Sequence, residues 1–598
     1  MKRFSHLWLM AVCICLLFQS ELSAAKEHQR FKIKSTEIEG NRAFSDRRLY
    51  RTIISRPSIF LKPSYYYPDI FIDDLKNIEM FYHRNGYLEA QVVGHEVRLD
   101  SLKRRADIRI EVSEGELTRV DGVSCYDNQV FNDREILTLV KLKPGDPLVR
   151  KKIDDATVAI LTLCAERGYL DASVKPDIRV DTTVHLATVD YLVQEKIQYT
   201  IDSIRIAGAD KTRLKIIRRE LDFKHGEIIN YSRLLESQRN LYLTGLFQSA
   251  YVRPVPPESG APECKDILIE TKESKSRELN FSVGYGSLEQ IRTRVGMYNN
   301  NWNGTARKLG LTGKLSFINR GVEATFTEPW TFGTRWRSDL ALTIDYLEEP
   351  GYNQLVYGGR VTVGRKLPGR LSTNLTYRHQ SVDLSNVRVS TFPAEIATRI
   401  RSLKLTVIHD SRDNLFNPSR GLYVEPSLEA AGVFRGAADL FTRLELKGKY
   451  FQPVGWDVVS AHSLEVGWMD SPRDLDGIPL NERLYAGGPS TLRAFKYRRV
   501  GPLDPEGYPT GGRFKLILNA VELRRPVYKW LGMVLFFDAG NVWNRPQDIR
   551  MSELRLSPGL GLRANTFLGL VRVDFGLNID PRPSEPPGMI YFSVGQAF

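Results

Sequence analysis

Two textures of apolar and polar positions meet near Lys275. Ahead of that point, short alternating runs, the period of a half-buried strand, are interleaved with stretches whose apolar residues return every three or four positions, the period of a helix. Three segments share this layout. Each opens with an alternating run read as a strand that ends at a glycine: Ile33 to Gly40, Val120 to Gly122, and Tyr199 to Gly208. A short helical stretch follows, as in Asp46 to Ile54 and Lys211 to Glu220. A longer helix then closes on an aligned step: Asn85-Gly86-Tyr87-Leu88-Glu89-Ala90, Arg167-Gly168-Tyr169-Leu170-Asp171-Ala172, and Thr244-Gly245-Leu246-Phe247-Gln248-Ser249. The glycines suit left-handed C-caps, after which the chain turns into a strand. Ala106 to Val112, Thr188 to Val193 and Asp266 to Thr271 supply the closing strands. The order β-α-α-β-β over about 80 residues predicts an array of small α+β domains rather than a solenoid. The second and third copies share Lys143-Pro144-Gly145-Asp146 and Lys224-His225-Gly226-Glu227 between their helices, where the first carries an insert rich in Pro and Tyr from Arg56 to Asp69.

Past Lys275 the helical spacing is gone. Alternating segments recur about every 20 residues between clusters of Gly, Pro, Asn and Asp. Leu444, Leu446 and Tyr450 alternate with Glu445, Lys447 and Lys449; Val571, Val573, Phe575 and Leu577 alternate with Arg572, Asp574 and Gly576; Leu403, Leu405 and Val407 alternate with Lys404 and Thr406. A soluble sandwich alternates too. The charged face, however, recurs to the end of the chain without an intervening helix, which predicts an antiparallel barrel with lipid outside and a polar lumen, of about 16 strands. The predicted division is 1–25 leader, 30–114, 115–197 and 198–275 repeats, and 277–598 barrel.

The start of the chain agrees with that destination. Lys2 and Arg3 precede an apolar run from Leu7 to Phe18, and Ser23-Ala24-Ala25 follows before Lys26. That order of charged, apolar and small residues is the pattern of a cleaved secretory signal, and the run is too short for a permanent spanning helix. Of the 5 cysteines, Cys13 and Cys15 would leave with it. Cys125, Cys164 and Cys264 remain, an odd number for an oxidising compartment; either Cys125 pairs with Cys164 or all stay thiols, and buried thiols are the favoured reading. The formal net charge of +13 raises the question of a nucleic-acid partner. Lys and Arg are spread along the chain rather than gathered in a stripe or tail, which speaks against nucleic acid and for anionic outer-membrane lipid or lipopolysaccharide. The 9 histidines form no metal-ligand spacing and there is no phosphate loop, so neither a cofactor nor catalysis is expected.

The repeats resemble the POTRA domain, in the glycine after the first strand and in the G-[YL]-[LF] step. That implies periplasmic modules that handle client chains, since a small sheet with an open edge can pair with an extended peptide. Three further stretches carry a second resemblance. Tyr485-Ala486-Gly487-Gly488-Pro489-Ser490-Thr491-Leu492-Arg493-Ala494-Phe495 is followed by Gly501-Pro502. Gly511-Gly512-Arg513 leads to Glu522-Leu523-Arg524-Arg525-Pro526-Val527 and then Phe536-Phe537-Asp538-Ala539-Gly540-Asn541. Asp410-Ser411-Arg412-Asp413 stands with Pro418-Ser419-Arg420-Gly421. Together these resemble the BamA/TamA family of outer-membrane assembly factors. Its inward-folded loop has the core Val/Ile-Arg-Gly-Phe/Tyr; here Arg493 and Phe495 are kept and Ala494 replaces the glycine. The resemblance implies that Arg493 meets Asp538 on the barrel wall, with Glu522 as a second candidate. It also implies a seam between the first and last strands, about Glu278 to Tyr285, with Phe281, and Met589 to Phe598, with Ile590 and Phe592. Terminal Phe598 resembles an outer-membrane sorting signal.

The implied function is insertion of outer-membrane protein clients, with periplasmic or lipoprotein accessory subunits. Two other classes share parts of the pattern: a two-partner-type secretion channel, which usually carries two POTRA domains, and a passive porin, which does not call for a repeat array. Three repeats resemble TamA more than BamA, which typically has five.

Overall fold

The computed structural model describes residues 31–58, 63–432, 440–566 and 569–594. The leader expected at 1–25 and the expected sorting residue Phe598 lie outside the described residues. The described residues form two compact units: one lies within 31–205, 222–237 and 252–269, the other within 206–221, 238–251 and 270–594.

In the first repeat, β1 (Phe31–Glu39), β2 (Tyr65–Tyr66), β3 (Gln91–Asp100) and β4 (Arg105–Ser113) form a sheet of order β2-β1-β4-β3. Helices Asp46–Leu49 and Pro68–Arg84 cover one face, and Ile33, Ile38, Leu49, Ile78, Tyr82, Ile108 and Ile110 fill the space between. The second repeat sets β5 (Arg119–Tyr126), β6 (Ser173–Asp181) and β7 (Leu186–Gln194) in order β5-β7-β6 beneath helices Asp133–Leu139 and Arg150–Glu166. The third has β8 (Thr200–Ala207), β9 (Phe247–Val255) and β10 (Cys264–Glu273), order β8-β10-β9, with helices Leu214–Arg218 and Tyr231–Leu243. Each copy therefore has the expected β-α-α-β-β order. The insert of the first adds a two-residue strand that pairs antiparallel with β1.

Two local expectations are corrected. The opening strand of the second repeat does not end at Gly122; it runs on to Tyr126, with a register shift between Val120 and Gly122, and the left-handed residue after it is Asp127, φ +67°. An Asp tolerates that region better than most side chains, so no glycine marks this strand end. The short helices are also shorter than their apolar spacing suggested, stopping at Leu49 and Arg218. The predicted caps Gly86, Gly168 and Gly245 do have positive φ.

In each repeat a glutamate at or just after the end of the last strand turns back to the loop after the first strand. Glu114 accepts the Ala43 N–H at 2.8 Å, Glu195 accepts those of Gln129, Val130 and Phe131 at 3.1–3.2 Å, and Glu273 accepts those of Lys211 and Thr212 at 3.1 and 2.7 Å. Burial pushes the Glu195 carboxyl up, but its backbone donors outweigh this and hold it below the usual carboxylate range. Cys125 and Cys164 are buried in the second repeat as free thiols, and burial pushes both up to about 11. Cys264 is also free.

The second unit is a closed antiparallel barrel of sixteen strands among the described residues. They are β11 (Arg277–Gly286), β12 (Gln290–Trp302), β13 (Arg307–Ser316), β14 (Asn319–Glu328), β15 (Arg337–Glu349), β16 (Tyr352–Leu367), β17 (Leu371–Ser385) and β18 (Ile396–Asp410). The second half has β19 (Gly421–Ala431), β20 (Phe441–Gly455), β21 (Val458–Asp470), β22 (Phe514–Tyr528), β23 (Leu531–Trp543), β24 (Arg555–Thr566), β25 (Gly569–Leu577) and β26 (Gly588–Val594). Alternation sorts the side chains: on β20, Leu444, Leu446 and Tyr450 lie exposed on the outer wall, while Glu445, Lys447 and Lys449 line the lumen. We call the end where the chain enters β11 the near end and the other the far end. The 471–513 connection between β21 and β22 therefore belongs to the far end.

Candidate functional site: the loop inside the barrel

Loop 471–513 folds back on itself through isolated bridges, Leu484 with Gly512 and Ala486 with Val500. Its apolar underside, Leu484, Ala486, Leu492, Ala494, Phe495 and Val500, packs against Met469, Ile517 and Val542 of the wall. An apolar face of this kind can be buried inside a barrel only if the polar groups beside it are paired.

Arg493 is the centre of that pairing. It is 6% exposed, and Asp538 on β23 is 0% exposed. Arg493 Nε and Nη2 donate to the two Asp538 oxygens at 2.9 and 2.8 Å, a two-pronged fork that fixes orientation as well as distance. Nη1 donates to Glu522 on β22 at 2.8 Å. Asn519 Nδ2 donates to Asp538 at 2.8 Å, and Arg524 Nε to Glu522 at 2.7 Å, so both carboxylates have further donors. The guanidinium carbon lies 3.4 Å from the Phe536 ring centroid. With so little water, removing one partner strands the other charge at a cost of about 3–5 kcal/mol.

Ala494 stands where the family pattern has glycine, and its φ is not positive, so its backbone does not call for glycine. A Cβ on Gly576 of β25 would lie 2.5 Å from the Arg493 carbonyl carbon and 2.6 Å from Ala494 N. The Ala494 N–H donates to Ser557 Oγ at 2.8 Å. Phe495 is buried, with the Arg555 guanidinium 4.8 Å over its ring, and its carbonyl accepts the Tyr591 hydroxyl at 2.6 Å.

Two further anchors of the same loop were not read from the sequence. Glu482 is buried and accepts Arg378 of β17 at 2.8 Å and Arg443 of β20 at 2.7 Å. Glu429 of β19 completes the square, with Arg378 at 2.6 Å and Ser402 Oγ at 2.6 Å. On another side Arg498 reaches Glu349 of β15 at 2.9 Å and the Tyr352 hydroxyl at 2.8 Å. The one available signal was charge in the loop itself, since the wall residues look like any lumen-facing position.

The expected seam strands are neighbours in the ring. Tyr285 pairs with Val594 and Gly286 with Ser593. Beyond them the Ser287 N–H donates to the Phe592 carbonyl at 2.9 Å, and the Phe592 N–H donates to Ser287 Oγ at 2.7 Å. The Tyr285 and Phe592 rings lie 5.8 Å apart. Phe281 and Ile590 are exposed on the outer wall, and Glu278 takes a hydrogen bond from Asn300 of β12 at 3.1 Å, away from the junction. Because β11 ends at Gly286, residues Gly588 to Tyr591 of β26 have no strand partner on that side among the described residues.

Comparison with known proteins places both halves. Residues 301–598 match the Omp85 superfamily domain, and 31–115, 118–196 and 199–283 each match the POTRA family, a surface antigen variable number repeat. The chain is 23% identical to the outer membrane protein assembly factor BamA of Neisseria meningitidis serogroup B, over 96% of this chain and 79% of that one. With the factor of the same name from Neorickettsia risticii it shares 24% identity, over 92% and 76% of the two chains. In fold it is similar to the crystal structure of BamA from Haemophilus ducreyi lacking POTRA domains 1–3, with a TM-score of 0.67 and 19% identity over 80% of this chain and 98% of that one.

Proposed function

The chain belongs to the Omp85 superfamily, in its BamA-type branch, and on that premise we propose that it is an outer-membrane protein assembly factor. The barrel lies in the outer membrane and the POTRA repeats in the periplasm, so the near end is the periplasmic one. Clients are received on the repeats and inserted through a lateral seam between β11 and β26. The observation that carries this reading is that β11 ends at Gly286, so that Gly588 to Tyr591 of β26 have no strand partner on that side among the described residues. In hydrocarbon each unsatisfied backbone group costs several kcal/mol. An edge left open in that setting is driven to pair, and the edge of a client strand satisfies it as well as the barrel's own. Exchange of hydrogen bonds between the two needs no nucleotide. The loop held by Arg493 and Phe495 keeps the lumen filled and the wall round while the seam works.

A cysteine pair tests the seam. Gly286 and Ser593 are register partners, and opposed strand residues lie within the Cα range of a disulfide. With Gly286→Cys and Ser593→Cys in a Cys264→Ser background, oxidation should stop client insertion into liposomes and reduction should restore it. Undiminished insertion by the oxidised protein would sink the seam mechanism.

A two-partner-type channel and a passive porin make different predictions on depletion: loss of one exported protein for the first, no loss for the second, and broad loss of outer-membrane proteins for an assembly factor. The TamA-type role rests on the count of three repeats alone. Its partner would be a long periplasm-spanning protein, and a BamA-type factor would bring accessory lipoproteins. Outer-membrane lipid and lipopolysaccharide complete the expected surroundings.

A further inference from the structure

Between the loop and the near end the lumen holds a cavity of about 1230 Å³. Thirteen basic side chains line it against six acidic ones. That excess of seven is more than half the +13 of the whole chain, gathered in one chamber.

Pairing sorts these cations. Arg493, Arg498 and Arg443 are taken up by buried carboxylates of the loop and wall. Lys515 meets Glu465 at 2.5 Å, Arg524 meets Glu522 at 2.7 Å, and Arg563 meets Asp574 at 2.7 Å. Lys447, Lys449 and Arg572 also face the cavity, and have no ion pair or hydrogen bond among the described residues. Lys447 and Lys449 are two positions apart on β20, so their side chains leave the same face of the strand from positions about 7 Å apart. The charges felt by Lys449 are mainly of its own sign, Arg412, Lys447 and Arg524 against Glu465. Arg572 stands beside Arg563 and Arg524, with Asp574 and Glu522 opposing. Like charges crowded into a half-enclosed, low-dielectric space repel, and a multivalent anion placed among them relieves that repulsion.

The route of entry narrows the choice of anion. From β19 to β25 the wall is an unbroken ladder of paired strands, which closes it to lipid from the bilayer. The loop closes the far side. At the near end Leu415, Phe416 and Trp530, all exposed, frame the cavity with apolar surface. A fitting occupant carries apolar groups that suit the mouth and several negative charges that reach further in. An extended acidic peptide does both.

We propose that this chamber binds an acidic, extended stretch of polypeptide entering from the periplasm, its carboxylates on Lys447, Lys449 and Arg572. The inference rests on the assembly reading for the source of that polypeptide, a client chain in transit. It is tested with the full-length protein in detergent micelles, by fluorescence anisotropy of a labelled peptide of alternating glutamate and valine beside its glutamine counterpart. The glutamate peptide should bind at least about tenfold more tightly, a gap of about 1.4 kcal/mol, and the preference should shrink as salt rises. Lys447→Gln, Lys449→Gln and Arg572→Gln combined should abolish the preference. Lys447→Arg with Lys449→Arg should retain it, and so should a control with Lys103, Arg134 and Lys151 of the repeats changed to Gln. Equal binding of the two peptides, or a preference that survives the triple substitution, overturns the proposal. So does binding of inorganic tripolyphosphate that the triple substitution removes when the peptides show no preference. Binding is read without any insertion step, so its failure leaves the seam mechanism standing. Insertion that continues through an oxidised seam fails that mechanism and leaves the binding result intact.

Discussion

Charge attracts Arg493 to the wall, but a missing side chain lets it arrive. Gly576 offers no Cβ where the Arg493 and Ala494 backbone passes, and one added there would sit 2.5 Å from the Arg493 carbonyl carbon. Neither backbone can yield without breaking a hydrogen bond, Ala494 to Ser557 on one side or the β24–β25 ladder on the other. Gly576→Ala should therefore lift the loop tip and cost about 1–3 kcal/mol. The check is the temperature at which the folded barrel loses its fast mobility on a gel, together with client insertion. Wild-type values for both would show that the tip is not seated on β25. At this scale Arg493, Phe495, Asp538 and Glu522 were legible only through the resemblance of their motifs to the family's inward-folded loop and barrel-wall strand. Gly576 and Glu482 were not legible. The first acts through an absence, and the second finds Arg378 from 104 positions away, where no local pattern reaches.

Elements of the repeats are tied by the same carboxylate in each copy, and Glu195 gives the sharpest test. Its folded value lies below the usual range because the N–H groups of Gln129, Val130 and Phe131 stabilise the charged form. A carboxyl depressed by folding contributes stability that is complete above its unfolded value, about 4.3, and is lost as pH falls through the lower folded one. Glu195→Gln should therefore open the Gln129–Phe131 loop by about 2 kcal/mol at pH 7. The gap to wild type should close once the pH drops below the folded value. Hydrogen exchange at those three amides, corrected for intrinsic rates, reads it directly; a gap independent of pH would mean that the charge of Glu195 does no work there. The longer helices and the closing strands were legible because their periods run long enough to count. Strand β2 was not, since Tyr65 and Tyr66 become a strand only by pairing with β1. The end of β5 was misplaced for a related reason: the left-handed seat went to Asp127, and Gly122 stayed inside the strand.

Across the whole barrel, the loop works as a strut between separate stretches of the wall. Arg493 fastens it to β22 and β23, Glu482 to β17 and β20, and Arg498 to β15 and β16. The first two anchors have no partner in common, so direct contact cannot couple them. If the loop docks as one body through its shared apolar underside, losing either anchor undocks much of what the other holds. Arg493→Ala and Glu482→Gln should each cost about 3–5 kcal/mol by stranding a buried charge. The double variant should cost clearly less than their sum, since two independent sites would add to within about 0.5 kcal/mol. Thermal unfolding of the four members of that cycle, in one detergent and at one scan rate, gives the coupling. Strict additivity would mean that the two ends of the loop are held separately, so that the lumen could release one end while keeping the other. A strong coupling instead makes the loop a single latch, in which case any opening of the barrel that moves Asp538 must also disturb Arg378.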